Sequence, residues 1–175
     1  MIATTHPVQL LTELKKEAEI ALADFLSEPN ESSKIKRELE SPVRVHLYDL
    51  PDKNANPAEA TAPDYPCVII QPAPDFGKTL EADRNLYTRE ISVELLVMTS
   101  AIDRDSRVEF NLNILNRLEQ HFTVNDIIGK AFMLKLPNTL QSSDQSNKPQ
   151  YATSLTLTYT YQSSWRITRY GEYEQ

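Results

Sequence analysis

Apolar residues recur at helical spacing near the start of the chain. Leu11, Leu14, Ala18, Leu22 and Phe25 share one face of a 3.6-residue period. Lys15, Lys16, Glu17 and Glu19 lie mostly off that stripe, so one side packs and the other stays wet. Pro7 suits the first turn, where a missing N–H costs nothing, with Thr5 or His6 as cap. Pro29 ends the helix. A second helical stripe joins Val108, Leu112, Leu115, Leu118 and Phe122. Asp103 can cap it, and Ser106 to Glu109 has the spacing of a capping box.

Between and after the helices the period changes to two. Val43, Val45 and Leu47 alternate with polar neighbours and predict a short strand. Cys67 to Gln71 is apolar and β-branched, as in a strand covered on both faces. Leu86 to Thr99 reads as a long strand, with Tyr87, Ile91, Val93, Leu95 and Val97 on one face. Thr88, Glu90, Ser92 and Glu94 take the other. "AFMLKL" predicts a short strand stopped by Pro137, with a polar loop after it. In the last strand Tyr151, Leu155, Leu157, Tyr159, Tyr161 and Trp165 oppose a stripe of threonines. The expected core contains Leu11, Leu14, Ile91, Val93, Leu112, Leu115, Leu157 and Tyr159.

This order predicts an α+β fold: a mostly antiparallel, mixed sheet of four to five strands with two main helices on one face. The 175 residues suit a single domain. Residues 1–28 form the N-terminal helix and 43–165 the sheet-and-helix core. Residues 29–42 and 49–63 are loops, and 166–175 a mobile tail. The segment from Pro72 to Asn85 is read as a connection, stiffened by Pro72 and Pro74.

Composition narrows the function. The net charge of −7 argues against direct duplex binding, which draws affinity from neutralised phosphates. No stretch reaches a membrane span of about 20 apolar residues, and the first residues lack the pattern of a secretory signal. With one cysteine no internal disulfide is possible, which suits a reducing compartment.

Candidate chemistry is sparse. Gly77, Gly129 and Gly171 are too scattered for a phosphate loop, and His6, His46 and His121 lack metal-ligand spacing. No cofactor or metal is expected. Ser33 to Lys36 has the form S-x-x-K without the partner motifs that an acyl enzyme needs. Cys67 opens an apolar strand, far from a helix start that would lower its pKa. It reads as a small core residue rather than a nucleophile. Glu90 and Glu94 could do acid–base work. On an exposed face beside Thr88 and Ser92, solvation or a contact with another subunit is preferred.

The segments "APDYPCVIIQP", "REISVELLVMT", "FNLNILNRLEQHF" and "IIGKAFMLKL", in this order, resemble the bacteriophage tail terminator, or tail completion, proteins. Asp64, Tyr65, Pro66, Val68 and Ile70 match that family's first signature, and Ile128 and Gly129 its second. The resemblance runs from Val43 to Trp165. It lacks the usual glycine after the long strand, and its aromatic motif near the last strand is reduced. It implies a non-enzymatic virion protein, assembled in the host cytoplasm into a ring, expected to be a hexamer, at the head-proximal end of the tail. The ring would cap the tail-tube protein, stop its polymerisation and offer a docking face to a head or neck completion protein. DNA would pass through without specific binding, and no membrane is involved. Asp75, Phe76, Lys78, Glu81, Asp83, Arg84, Glu90 and Glu94 are the candidate subunit or tube contacts. A neck or head–tail joining protein is the alternative. A small hydrolase or ligand-binding domain using Cys67 or the Glu90/Glu94 face is the third reading.

Overall fold

A computed structural model describes residues 7–23, 43–49, 66–83, 86–99, 104–143 and 151–164. Helix α1 runs over Pro7–Leu22 and helix α2 over Arg104–Val124. The strands are β1 (Arg44–Leu47), β2 (Cys67–Asp83), β3 (Leu86–Thr99), β4 (Ile127–Ile128), β5 (Phe132–Ser143) and β6 (Tyr151–Ser164). They form one six-stranded sheet in the order β1-β2-β3-β6-β5-β4. β1 and β2 are parallel and every other pair is antiparallel. The α+β class holds, with six strands rather than four to five. The additional strand is β4, two residues long, which is too short to show a period.

Two strands outrun their prolines. β2 continues through Pro72 and Pro74 to Asp83, where the sequence predicts a connection. β1 pairs only with Cys67 to Ile70, so from Gln71 onward β2 has no outer strand partner among the described residues. A proline is tolerated there because its missing N–H faces no ladder. The irregularity sits in a bulge: Pro72 is opposite Val93, yet the next paired residue, Gly77, is opposite Ile91. β5 likewise continues past Pro137 to Ser143, with its register shifting between Lys135 and Thr139. Such bulges turn the chain and increase twist without ending the strand.

The core lies between the helices and one face of the sheet. Ile91, Val93, Leu95 and Val97 of β3 meet Leu155, Leu157, Tyr159 and Tyr161 of β6 under the helices, all of them buried. From α1 come Leu10, Leu11, Leu14, Ala18, Ala21 and Leu22. From α2 comes the i, i+4 series Phe110, Ile114, Leu118 and Phe122, with Leu115 beside it. Leu112, expected in the core, is 38% exposed. Apolar residues crowd this helix, so two stripes compete in sequence, and only the line of contact with β3 and β6 chooses. Val108 is half-buried. Phe25, Pro29, Asp103, Trp165 and the expected tail lie outside the described residues.

Polar contacts tie the layers. Asn111, buried, donates to the Val97 carbonyl at 3.5 Å and to Thr153 Oγ1 at 3.3 Å. Arg117 Nε donates to the Ala21 carbonyl at 3.2 Å, at the end of α1. His121, in the last turn of α2, meets the Glu17 carboxylate at 2.8 Å. Burial, with Glu17 nearby as a smaller cause, pushes the Tyr159 phenol well above its ordinary range, so it stays neutral. The turn from β4 to β5 needs positive φ at two successive residues, Gly129 (56°) and Lys130 (63°), and the Ala131 N–H closes it on the Ile128 carbonyl at 3.2 Å. A Cβ on Gly129 would stand 3.2 Å from Glu13 Cγ of α1, so this turn packs tightly against the helix.

Candidate functional site

The sheet face turned away from α1 and α2 carries the polar halves of β3 and β6. Cross-strand register decides which side chains meet there. Gln71 and Glu94 are opposite each other on β2 and β3, and the Gln71 amide donates to Glu94 Oε2 at 2.9 Å. Ser92 and Thr158 are opposite on β3 and β6, with their hydroxyls 3.1 Å apart. One row further, Glu90 takes Lys78 Nζ on Oε1 at 2.7 Å and Lys135 Nζ on Oε2 at 2.6 Å. Lys78 follows the bulge in β2 and Lys135 precedes the bulge in β5, so both ammonium groups converge on one carboxylate from opposite sides. Lys135 reaches it across β6.

Glu90 is therefore not the solvated carboxylate that the alternation predicts. It is 6% exposed, and the two lysines make that burial tolerable. The hydrogen bonds from Lys135 and then Lys78 hold its carboxyl below the ordinary range, against the opposing effect of burial. The Glu90 hydrogen bond and charge raise Lys78. Each component stabilises the charged form of the other. A carboxylate with both oxygens committed to ammonium groups is a poor general base at neutral pH.

The other candidates fall around this cluster. Asp75 is exposed within the β2 bulge, while Phe76 is half-buried and packs on the core. Both line a cleft of about 500 Å³ with Lys78, Glu90 and Ser92. Glu81 and Asp83 stand on β2 opposite Thr88 and Leu86. Arg84 lies outside the described residues. Phe76, Lys78 and Glu90 thus come together, with Glu94 beyond Ser92 on the same face of β3. Cys67 is buried at the start of β2, away from any approaching substrate. Lys135 and Gln71 were not singled out by sequence. No local signal marks Lys135, since it lies 45 residues from Glu90 and only the strand order brings them together. Among the described residues no group of three or more His, Cys, Asp or Glu side chains could hold a metal ion. Among them, too, no helix is long and apolar enough to cross a membrane.

No protein-family model and no curated protein sequence matches the chain. Among solved structures, a chain bearing no functional name is 15% identical, with a TM-score of 0.46 over 86% of this chain and 94% of that one. A chain from the virion of a native gene transfer agent particle is 9% identical, with a TM-score of 0.39 over 89% of this chain and 97% of that one. Both scores are too low to define a shared fold.

Proposed function

We propose that this protein is a structural component of a virion, a tail terminator whose copies form a ring, expected to be a hexamer, on the head-proximal end of the tail tube. The ring stops tube growth and presents a docking face to a head or neck completion protein. DNA crosses it without specific binding. The observation that carries this reading is the ordered set of segments that resemble those of tail terminator proteins. Of the first signature, Pro66 leads into β2 and Val68 and Ile70 lie within it. Of the second, Ile128 closes β4 and Gly129 opens its turn.

The open sheet face supports the same reading. Its polar groups are joined in pairs across strands and are not arranged as a nucleophile beside a base. Glu90 is neutralised in place, as suits a surface that must be stiff and reproducible from copy to copy. Cys67 is hidden, which favours this reading over a thiol hydrolase. A neck or head–tail joining protein would sit on the other side of the same junction and is separated from the terminator by its effect on tube length.

The test is direct. Adding the purified chain to polymerising tail-tube protein from the same genome is expected to arrest growth, read as shortened tubes by electron microscopy. Tubes that reach the same length with and without the chain would exclude termination. Binding to completed tubes without an effect on growth would identify the joining protein instead.

A further inference from the structure

Two exposed apolar sites lie at opposite edges of the sheet and carry opposite charge. The first is a cleft of about 540 Å³ at the end of α2, lined by Val124, Leu136 and Pro137 with Glu119 among its polar members. Val124 is 80% and Leu136 59% exposed, which is unusual for adjoining large apolar side chains. Glu119 is half-buried, and Asp126, two residues past Val124, adds an exposed acid. The second site is the far half of the β2–β3 hairpin. Thr79 is opposite Arg89 and Glu81 opposite Thr88, so Leu80 is the residue left out of register. A bulged residue is re-aimed away from its ladder, and Leu80 is 43% exposed. Arg89 is exposed beside it and lies over the Tyr87 ring, 5.9 Å from the centroid. Among the described residues neither Arg89 nor Asp126 has an ion-pair partner.

We propose that the cleft at Val124 and Leu136 receives the β2–β3 hairpin of a second copy of this chain, with Leu80 filling the cleft and Arg89 facing Asp126. The complementarity is of two kinds, an apolar side chain for an apolar cleft and a cation for an acidic rim. Opposite charges across a contact select the right partner and suppress like-to-like pairing. Because the two sites sit at opposite edges of one sheet, the contact is head-to-tail, which closes into a ring or continues as a filament. The guarded parts of the same edges fit this choice. Pro72 and Pro74 with their bulge on β2, and Lys135 and Pro137 with theirs on β5, are features that discourage strand-to-strand addition. Side chains rather than backbone ladders then make the contact.

This contact rests on the ring reading, and the experiment separates the two. In the full chain, Leu80→Cys with Leu136→Cys is expected to give a ladder of covalent oligomers under mild oxidation, seen on denaturing gels. Each single variant should remain monomeric, since Cys67 is buried. A second pair of variants reads the charges: Arg89→Glu should weaken self-association on the order of tenfold in sedimentation, and Asp126→Arg in the same chain should restore it. Covalent dimers from a single variant would mean that like edges meet, and the proposal fails. A double variant that stays monomeric yet still arrests tube growth also overturns the contact while leaving the terminator reading intact. A chain that neither associates nor arrests tubes removes both.

Discussion

Ile91 and Glu90 are neighbours on β3 and are almost equally hidden, at 2% and 6% exposure. They reach that state by different physics. Ile91 is covered by apolar side chains and gains by leaving water. Glu90 loses solvation and recovers it from two ammonium groups, Lys78 and Lys135, whose own side chains remain 65% and 52% exposed. The helix-covered face is held by volume, and the open face by register. A core contact tolerates a neighbour of similar size, whereas the Glu90 cluster works only if β2, β3, β6 and β5 keep their alignment.

The largest break in this comparison is expected on the covered side. Phe122→Ala removes a fully buried ring from α2 and should cost about 3–5 kcal/mol in urea denaturation. A loss below about 1 kcal/mol would mean that α2 is not a principal cover of the sheet.

A smaller effect is expected on the open side. Glu90→Gln keeps the shape and removes the charge, and because both lysines reach water it should cost roughly 1 kcal/mol at neutral pH. The pH dependence carries the sign. The Glu90 carboxyl is depressed in the folded protein, so its contribution is complete above its ordinary value of 4.5 and is lost as pH falls through the folded value. Lys78 is raised from 10.5, so its share is complete below that value and is lost as pH rises through the folded one. The native protein's advantage over Glu90→Gln should therefore be a plateau that falls away at both ends. A difference between the two proteins that stays flat through the acid limb would remove the cluster from the account of stability.

The smallest effect sharpens the helix face. Leu112→Ala should change stability by no more than about 0.5 kcal/mol, as for a surface position. A loss comparable with that of Phe122→Ala would restore the stripe that helical spacing alone predicts for α2.

Legibility followed the range of the interaction. The apolar face of α1 could be read because Leu11, Leu14, Ala18 and Leu22 lie on one turn-to-turn line, and the register of a helix is local. The alternation of β3 and β6 was equally plain. The connection predicted from Pro72 to Asn85 is strand as far as Asp83, because proline is excluded only where its N–H would face a partner, and that depends on where β1 ends. Of the candidate contacts, Lys78 and Glu90 meet as an ion pair, but the second cation came from a strand two places away.

The sequence by itself determined the order of the elements other than β4, the two helices and the division of β3 and β6 into apolar and polar faces. These follow from periodicity along one chain and need no partner. The tertiary structure alone decided that Glu90 is buried, that Leu112 is not, and that both proline-bearing strands continue through their bulges. Each of these depends on what lies opposite a residue across the sheet, and a neighbour 45 positions away along the chain leaves no trace in local pattern.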